Sequence, residues 1–345
     1  MKSAIPPGIQ NQNSGHPDWA ILAEVEAAIL NAFDGHERMG EFVADMLRKV
    51  VDDVVDTAGT GRRFIDELEK TEKTYLGTKV EILLRHRMGF AKGSVLDLSV
   101  GGREVDIKFT MRGNWMVPPE AVGQVLLLMA ADESRGLCWM GLIKADLDKL
   151  SGSHNRDDKR TISKGGFGHI RWLLNGRAYE PNFWRGVPQD VVDAAFDPAV
   201  SGAKRMMRLF SMMLRRPIPR RVVQEVTQQL DSTRRVRANG GARDIMGKQV
   251  FILNGFMGQG AVANLGLPPL AKGAYIAIDA RNASERAVIE SSSQYLHTAR
   301  WTESRPKPKG PVNYIRDEDI PLPRTDDTDD EFDGARTRDS SEGIP

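Results

Sequence analysis

Apolar residues recur at two different spacings along the chain, and the change of spacing marks the change of structure. From Asp18 to about Phe33, Trp19, Ile21, Leu22, Val25, Ala28, Ile29 and Phe33 return every three or four positions. From about Met39 to Asp56, Phe42, Val43, Met46, Leu47, Val50, Val51, Val54 and Val55 do the same. Both stretches predict amphipathic helices. After a loop at Ala58–Arg63, a third helix is expected over roughly Phe64–Met88, with Leu68, Leu76, Val80, Leu83, Leu84 and Met88 on its apolar side. Gly77 is the point where that helix would kink or split. Period two begins at Val95. Leu96, Leu98 and Val100 alternate with Asp97 and Ser99, and beyond Gly101-Gly102 the residues Val105, Ile107 and Phe109 alternate with Glu104, Asp106 and Lys108. Two alternating runs joined by Gly-Gly predict a β-hairpin.

Further on, Val122–Ala131 and Leu137–Ile143 are continuous apolar runs bounded by charges, as central strands buried on both faces require. Together with the helices they predict an α/β (α+β) core, a mixed sheet flanked by helices. Trp115–Pro119, Lys144–Arg160 and the glycine-rich SKGGFGHI at 163–170 read as loops, the last without the Gly-Lys-Ser/Thr ending of a phosphate loop. Proline and aspartate accumulate over Pro181–Val200, where a domain boundary is expected. Beyond it, Met206 to Leu214 and Pro219 to Leu230 read as short helices, with a third starting near Ser232 or Thr233. Val250–Leu253 and Ala274–Ile278 follow as strands, and NGFMGQG at 254–260 is only superficially like a nucleotide loop. The expected division is an arm at 1–17 without order, a first domain at 18–190, a second mainly helical domain at 200–300, and an acidic tail without order at 305–345 containing TDDTDDEFDGA.

Composition alters this picture in two places. The net charge is +1, so the whole-chain balance points to no partner, but its distribution does. Between Lys204 and Arg243 the chain carries Arg205, Arg208, Arg215, Arg216, Arg220, Arg221, Arg234, Arg235 and Arg237, against only Glu225 and Asp231. Short helices with a basic face suit a helix-turn-helix or winged-helix module on DNA. The single cysteine, Cys138, excludes an internal disulfide and a four-thiolate zinc site and suits a reducing cytoplasm. The N-terminus lacks the apolar core of a signal peptide, no apolar run is long enough to span a bilayer, and the six histidines show no ligand-like spacing.

The candidate chemistry sits on the hairpin. With Gly101 and Gly102 as the turn, Val100 faces Arg103, Leu98 faces Val105 and Asp97 faces Asp106. Leu96, Leu98, Val105 and Ile107 then share the core face, while Asp97, Asp106 and Lys108 share the other. Directly opposed like charges destabilise a sheet, so a purely structural hairpin should avoid this arrangement. A divalent cation removes the conflict, and two carboxylates completed by waters and a phosphate are what Mg²⁺ prefers. Acid, then acid-x-Lys, is the pattern of the PD-(D/E)xK nucleases, in which metal-dependent hydrolysis of a phosphodiester is carried out. Glu81, on the helix before the hairpin, is either a surface glutamate paired with Arg85 or a further carboxylate at the metal. In the loop at 154–160, Arg156, Lys159 and Arg160 either decorate the surface or contact DNA phosphates.

The stretches LEKTEKTYLGTKVEILL at 68–84, VLDLSVGGREVDIKF at 95–109 and NWMVPPEAVG at 114–123, followed by HNRDDKR at 154–160 and RRVRANGGARDIM at 234–246, resemble the NaeI type of restriction endonuclease, in the same order, over roughly residues 40 to 290. The resemblance implies a restriction-endonuclease-like core followed by a helix-turn-helix domain of the catabolite-activator kind. It also implies a homodimer that binds two double-stranded DNA duplexes, one cut and one acting as effector. By resemblance, Glu81, Asp97, Asp106 and Lys108 are the catalytic set, with Mg²⁺ as cofactor and Glu81, Asp97 and Asp106 as its ligands. Arg215, Arg216, Arg220, Arg221, Arg234, Arg235, Arg237 and Arg243 are the candidate DNA contacts of the second domain. The activity expected is Mg²⁺-dependent, sequence-specific cleavage of DNA leaving 5′-phosphates. Two rival readings remain open on sequence: a repair or recombination nuclease with the same core, and a DNA-binding regulator with an inactive nuclease fold.

Overall fold

In the computed structural model, which describes residues 14–111, 113–153, 156–229, 232, 233, 236, 249–256 and 258–292, the two long apolar runs form the middle of a five-stranded sheet. Its strands are β1 (Leu98–Val100), β2 (Arg103–Thr110), β4 (Val125–Asp132), β5 (Leu137–Lys144) and β7 (Arg171–Ala178), in the order β1-β2-β4-β5-β7. β2 and β4 run parallel and the other neighbours antiparallel, so the sheet is mixed as expected. A small ladder of β3 (Met116–Val117) with β6 (Arg160–Thr161) lies outside it, where the sequence suggested only loop.

β4 is buried along almost its whole length because both faces of the sheet are covered. Val125, Leu127, Met129 and Ala131 pack with Cys138, Met140 and Leu142 against the helices α1 (Trp19–Ala32), α2 (His36–Val55) and α4 (Lys70–Met88). Leu126, Leu128 and Ala130 pack on the opposite side with Trp115, Val117, Trp139, Phe167 and Trp172. Trp115 is fixed there by donating its indole N–H to the Met129 carbonyl at 2.7 Å. Burial pushes the Cys138 thiol up to about 12, so it stays an unreactive apolar group.

The third predicted helix divides, but not at Gly77. A 3₁₀ turn at Ile65–Glu67 precedes α4, and Gly77 lies inside an unbroken helix. Two glutamates set the break. The Glu67 carboxylate accepts from the amides of Arg63 and Phe64 at 2.8 and 2.7 Å, and that of Glu72 accepts from the Glu69 amide at 2.8 Å, so each satisfies the exposed start of its own segment. The short α3 (Thr57–Thr60) occupies the start of the predicted loop, with Asp56 capping Gly59.

Beyond the sheet lie α5 (Gln189–Phe196), α6 (Gly202–Met212), α7 (Arg220–Thr227), β8 (Val250–Asn254), α8 (Gln259–Asn264), β9 (Tyr275–Asp279) and α9 (Ala283–Ser291). α6 and α7 fall on the two predicted helices, and β8 pairs antiparallel with β9 as the two predicted strands. α5 was not foreseen and fills the stretch that proline and aspartate marked as a boundary. Met206, Phe210, Val222, Val226, Val250 and Tyr275 share a separate cluster that reaches back to Phe183 and Trp184. The described residues fall within one compact unit. The first thirteen residues of the arm, most of the helix expected from Ser232 or Thr233 and the whole acidic tail lie outside the described residues.

A polar seam joins the two clusters. Arg48 is buried and donates to Asp52 at 2.6 Å and Glu133 at 2.7 Å, and Tyr179 donates to the same Glu133 at 2.6 Å. Burial disfavours the charge on Arg48, but Asp52 and Glu133 more than restore it. From α7, Arg221 reaches Asp52 at 2.8 Å and the Glu180 carboxylate at 3.2 Å. Next to it, Trp184 donates its indole N–H to Glu225 at 2.6 Å.

Burial lifts the Glu225 carboxyl from 4.5 to about 7, against the Trp184 hydrogen bond. Its folded value lies above the unfolded one. The protonated form therefore stabilises the fold fully below pH 4.5, and this contribution is lost as pH rises through about 7. Glu225→Gln keeps an acceptor for Trp184 and removes the titration. In denaturant melts, the variant should gain on the parent by roughly 3 kcal/mol between about pH 4 and pH 8. Parallel pH profiles for the two proteins would show that Glu225 does not titrate with folding.

Candidate active site

The hairpin forms with the register its sequence sets. Gly101 and Gly102 both have positive φ, at 59° and 79°, as a two-residue turn matched to strand twist requires. Leu98 pairs with Val105 and Val100 with Arg103. Leu98, Val105 and Ile107 enter the core beneath the helices. Leu96 does not join them. It packs in the cluster on the other face, because β1 starts only at Leu98 and the chain turns as it enters the strand.

That turn frees the Asp97 side chain. Its Oδ2 accepts the Ile107 amide at 2.8 Å, so the carboxylate takes the place of a ladder partner on the residue between Asp106 and Lys108. Asp97 and Asp106 are thereby brought into hydrogen-bonding contact. Asp106 is buried, and Lys108 Nζ stands 2.6 Å from its Oδ2. Burial raises the Asp106 carboxyl to about 6. Lys108 opposes the rise, and the charge and hydrogen bond of Asp97 add to it.

Glu81 completes the group from α4. Burial raises its carboxyl, and Asp97 raises it further through charge and a side-chain hydrogen bond. Arg85, one turn on, acts the other way across 3.4 Å. Glu81, Asp97, Asp106 and Lys108 thus form one connected set, with α4 supplying one acid and the hairpin the rest.

The set has the character of a cation site. The buried Asp106 Oδ2 has the Lys108 ammonium 2.6 Å away as its ion partner, and no amide or hydroxyl is aimed at it. Three carboxyls face two basic groups, Lys108 and Arg85, so full ionisation leaves excess negative charge in a partly desolvated place. Among the described residues, no three His, Cys, Asp or Glu side chains are gathered tightly enough to enclose an ion by themselves. A hard ion needs only one or two carboxylates when water and phosphate fill the remaining positions.

The candidate DNA contacts fare unevenly. Arg156 is exposed, and Lys159 is half-buried. Arg160 donates to the carbonyls of Ser151 and Gly152 at 2.8 and 3.0 Å, holding its own loop. Arg215 pairs with Glu285. Arg216 lies over the Phe183 ring at 4.7 Å and donates to the Phe183 carbonyl at 2.5 Å. Arg221 is bound in the polar seam. Arg220 is exposed. Arg234, Arg235, Arg237 and Arg243 lie outside the described residues.

One association escaped the sequence. His16 and His169, far apart in the chain, meet with ring nitrogens 2.7 Å apart, beside the buried pair of Lys149 and Asp18. Their separation of 153 positions gives no spacing signal. A cleft of about 650 Å³ lined by Gly61, Arg63, Val192, Phe196 and Arg208 includes none of the acidic set. Among the described residues, no helix is long and apolar enough to cross a membrane.

The family model for restriction endonuclease NaeI matches residues 27–308. A type II restriction enzyme NaeI from Lentzea aerocolonigenes is 35% identical over 280 residues, which cover 77% of this chain and 86% of that protein. Both the hairpin and the helices beyond the sheet fall inside the match, and the chain therefore belongs to the NaeI restriction endonuclease family and is a type II site-specific deoxyribonuclease acting on double-stranded DNA.

Proposed function

We propose that Glu81, Asp97, Asp106 and Lys108 are the catalytic centre of this deoxyribonuclease, with Mg²⁺ as its cofactor. The observation that carries the reading is the convergence of Lys108 and Asp97 on the buried Asp106 carboxylate, with Lys108 Nζ 2.6 Å from its Oδ2. Asp97 and Asp106 hold the ion, and Glu81 binds a second ion or orients a water molecule. An ion bound there would supply Lewis-acid chemistry and would offset charge on the scissile phosphate. Lys108, held against Asp106, positions the attacking water and lowers its pKa. Water oxygen attacks phosphorus in line, the bond from phosphorus to the 3′-oxygen breaks, and the 3′-oxygen takes up a proton. The products are a 5′-phosphate and a 3′-hydroxyl.

The wider organisation belongs to the same proposal. Residues 18–190 are the nuclease domain and 200–300 a helix-turn-helix or winged-helix domain on DNA, supported by α6, α7 and the β8–β9 pair. The arm at 1–17 and the tail at 305–345 flank them. Two copies form a homodimer in the cytoplasm, binding two duplexes, one cut and one acting as effector. Arg156, Lys159 and Arg220 are the described cations best placed to meet phosphate. The undescribed Arg234, Arg235, Arg237 and Arg243 complete that set.

Asp106→Asn and Lys108→Ala should each lower cleavage by more than about a hundredfold while DNA binding in the absence of divalent ions stays within a few-fold. Chelation should stop the parent enzyme, and Mg²⁺ should restore it. Undiminished cutting by either variant removes this centre from the mechanism.

Salt titrations of binding separate the cations by role. Arg220→Ala should weaken binding similarly on all sequences and reduce the slope of log affinity against log salt by about 0.9. Arg221→Ala should leave the slope unchanged and lower the melting temperature instead, since its guanidinium is bound to Asp52 and Glu180.

A further inference from the structure

The segment that leads from α4 into Asp97 is held by a side chain outside the acidic set. Glu104, on β2, receives it. Its Oε1 accepts the amide and the hydroxyl of Ser94, each at 2.7 Å. Its Oε2 accepts the amides of Val95 at 3.2 Å and Leu96 at 2.8 Å. Three consecutive amides and a hydroxyl thus converge on a single carboxylate, and the last of them precedes Asp97 by one residue. Successive amides curled round an anion make a concave binding nest, here filled from within the chain.

The neighbouring sequence is shaped to this contact. A Cβ on Gly93 would collide with Glu104 Oε2 and with the Leu96 carbonyl oxygen. Val95 is 70% exposed, so its side chain contributes little to holding the loop. Leu96 is buried, but on the far face of the sheet from Leu98. The backbone must therefore cross between faces within two residues, and the Glu104 carboxylate ties it on the near side of that crossing.

We infer that Glu104 is a positioning residue for DNA cleavage: by gathering the amides of Ser94, Val95 and Leu96 it sets the backbone from which Asp97 reaches the Ile107 amide and its place beside Asp106. Its own contacts are with the backbone and hydroxyl of that loop. The inference rests on the reading of Asp97 as a member of the catalytic set, and Asp97→Asn serves as the control for that reading.

The test compares Glu104→Ala, Glu104→Gln and Asp97→Asn in the full-length protein, with folding checked by circular dichroism. The first readout is single-turnover cleavage of plasmid at saturating enzyme with Mg²⁺. The second is hydrogen exchange at the Ile107 amide without divalent ions, which reports the Asp97 contact and not activity. Glu104→Ala should slow the cleavage step by about ten- to a hundredfold, with DNA affinity within twofold, and should speed exchange at Ile107. Glu104→Gln keeps one acceptor oxygen and should fall between the parent and Glu104→Ala in both readouts. Should Glu104→Ala not fold, Glu104→Gln alone decides: slowed cleavage with faster Ile107 exchange supports the inference, and parental values in both overturn it. Loss of cleavage in Asp97→Asn with no change in a folded Glu104→Ala overturns the role of Glu104 alone. Full cleavage by Asp97→Asn overturns the catalytic reading on which it rests.

Discussion

Holding two carboxyls in contact on one side of a hairpin is the constraint to which the rest of this part of the fold answers. Asp97 and Asp106 repel each other when both are ionised, and burial of Asp106 sharpens the conflict. Nothing in the hairpin ladder stabilises such a pair, because the ladder ends at Leu98. The pair persists because each member is anchored separately. Asp97 accepts the Ile107 amide, and the loop behind it is bound to Glu104. Asp106 sits on β2, which the parallel pairing with β4 fixes over Val105–Thr110, and it has Lys108 beside it. Removing a cation from such a place leaves repulsion, whereas adding one relieves it.

The covering of the sheet serves the same end. If only the helical face of β4 were buried, the opposite face would be solvated, and Asp106 and Lys108 would lie among waters that screen their charges. Instead Leu126 and Leu128, the β4 partners of Asp106 and Lys108, pack beneath Trp115 and Trp139. The acids therefore stand at the border of an apolar layer, which raises the Asp106 carboxyl to about 6 and gives Lys108 a strong partner. The loop that carries Trp115 follows directly from β2, so the chain segment that completes the hairpin also builds the cover.

The hairpin was legible in sequence because period two and a Gly-Gly turn together leave one register and one assignment of faces. The same logic failed at Leu96, two residues outside the strand that begins at Leu98. What ends it is the Glu104 contact, made by a residue on the partner strand and invisible to a pattern read along one. Helix α4 and the acidic position Glu81 were readable, but the approach of Glu81 to Asp97 depends on how α4 lies over β2. The break before α4 was missed because it is set by Glu67 and Glu72 turning back onto backbone amides, whereas Gly77, the residue that drew attention, remains helical. Helix α5 was missed because its apolar residues Val191, Val192 and Ala195 are few and lie among the prolines and aspartates that signalled a boundary.

Charge counting could not show how these arginines are partnered. A run of arginines against two acids read as a surface offered to nucleic acid, yet the acids and carbonyls that receive these arginines come from elsewhere in the chain. Asp52 and Glu180 take Arg221, Glu285 takes Arg215, and the Phe183 carbonyl takes Arg216. Local composition cannot report such pairings, because desolvation and partner geometry decide whether a guanidinium faces water or protein. Arg221 makes the point sharply. It approaches Asp52 on the side away from Arg48, so one aspartate stands between a buried guanidinium in the first cluster and a half-buried one from α7. Breaking one member would leave the others charged in a poorly hydrated place, which is costly even where the intact seam adds little net stability. A seam of this kind specifies how the helices beyond the sheet are seated more than it strengthens their attachment, and the position of any DNA-reading surface on those helices is set by it.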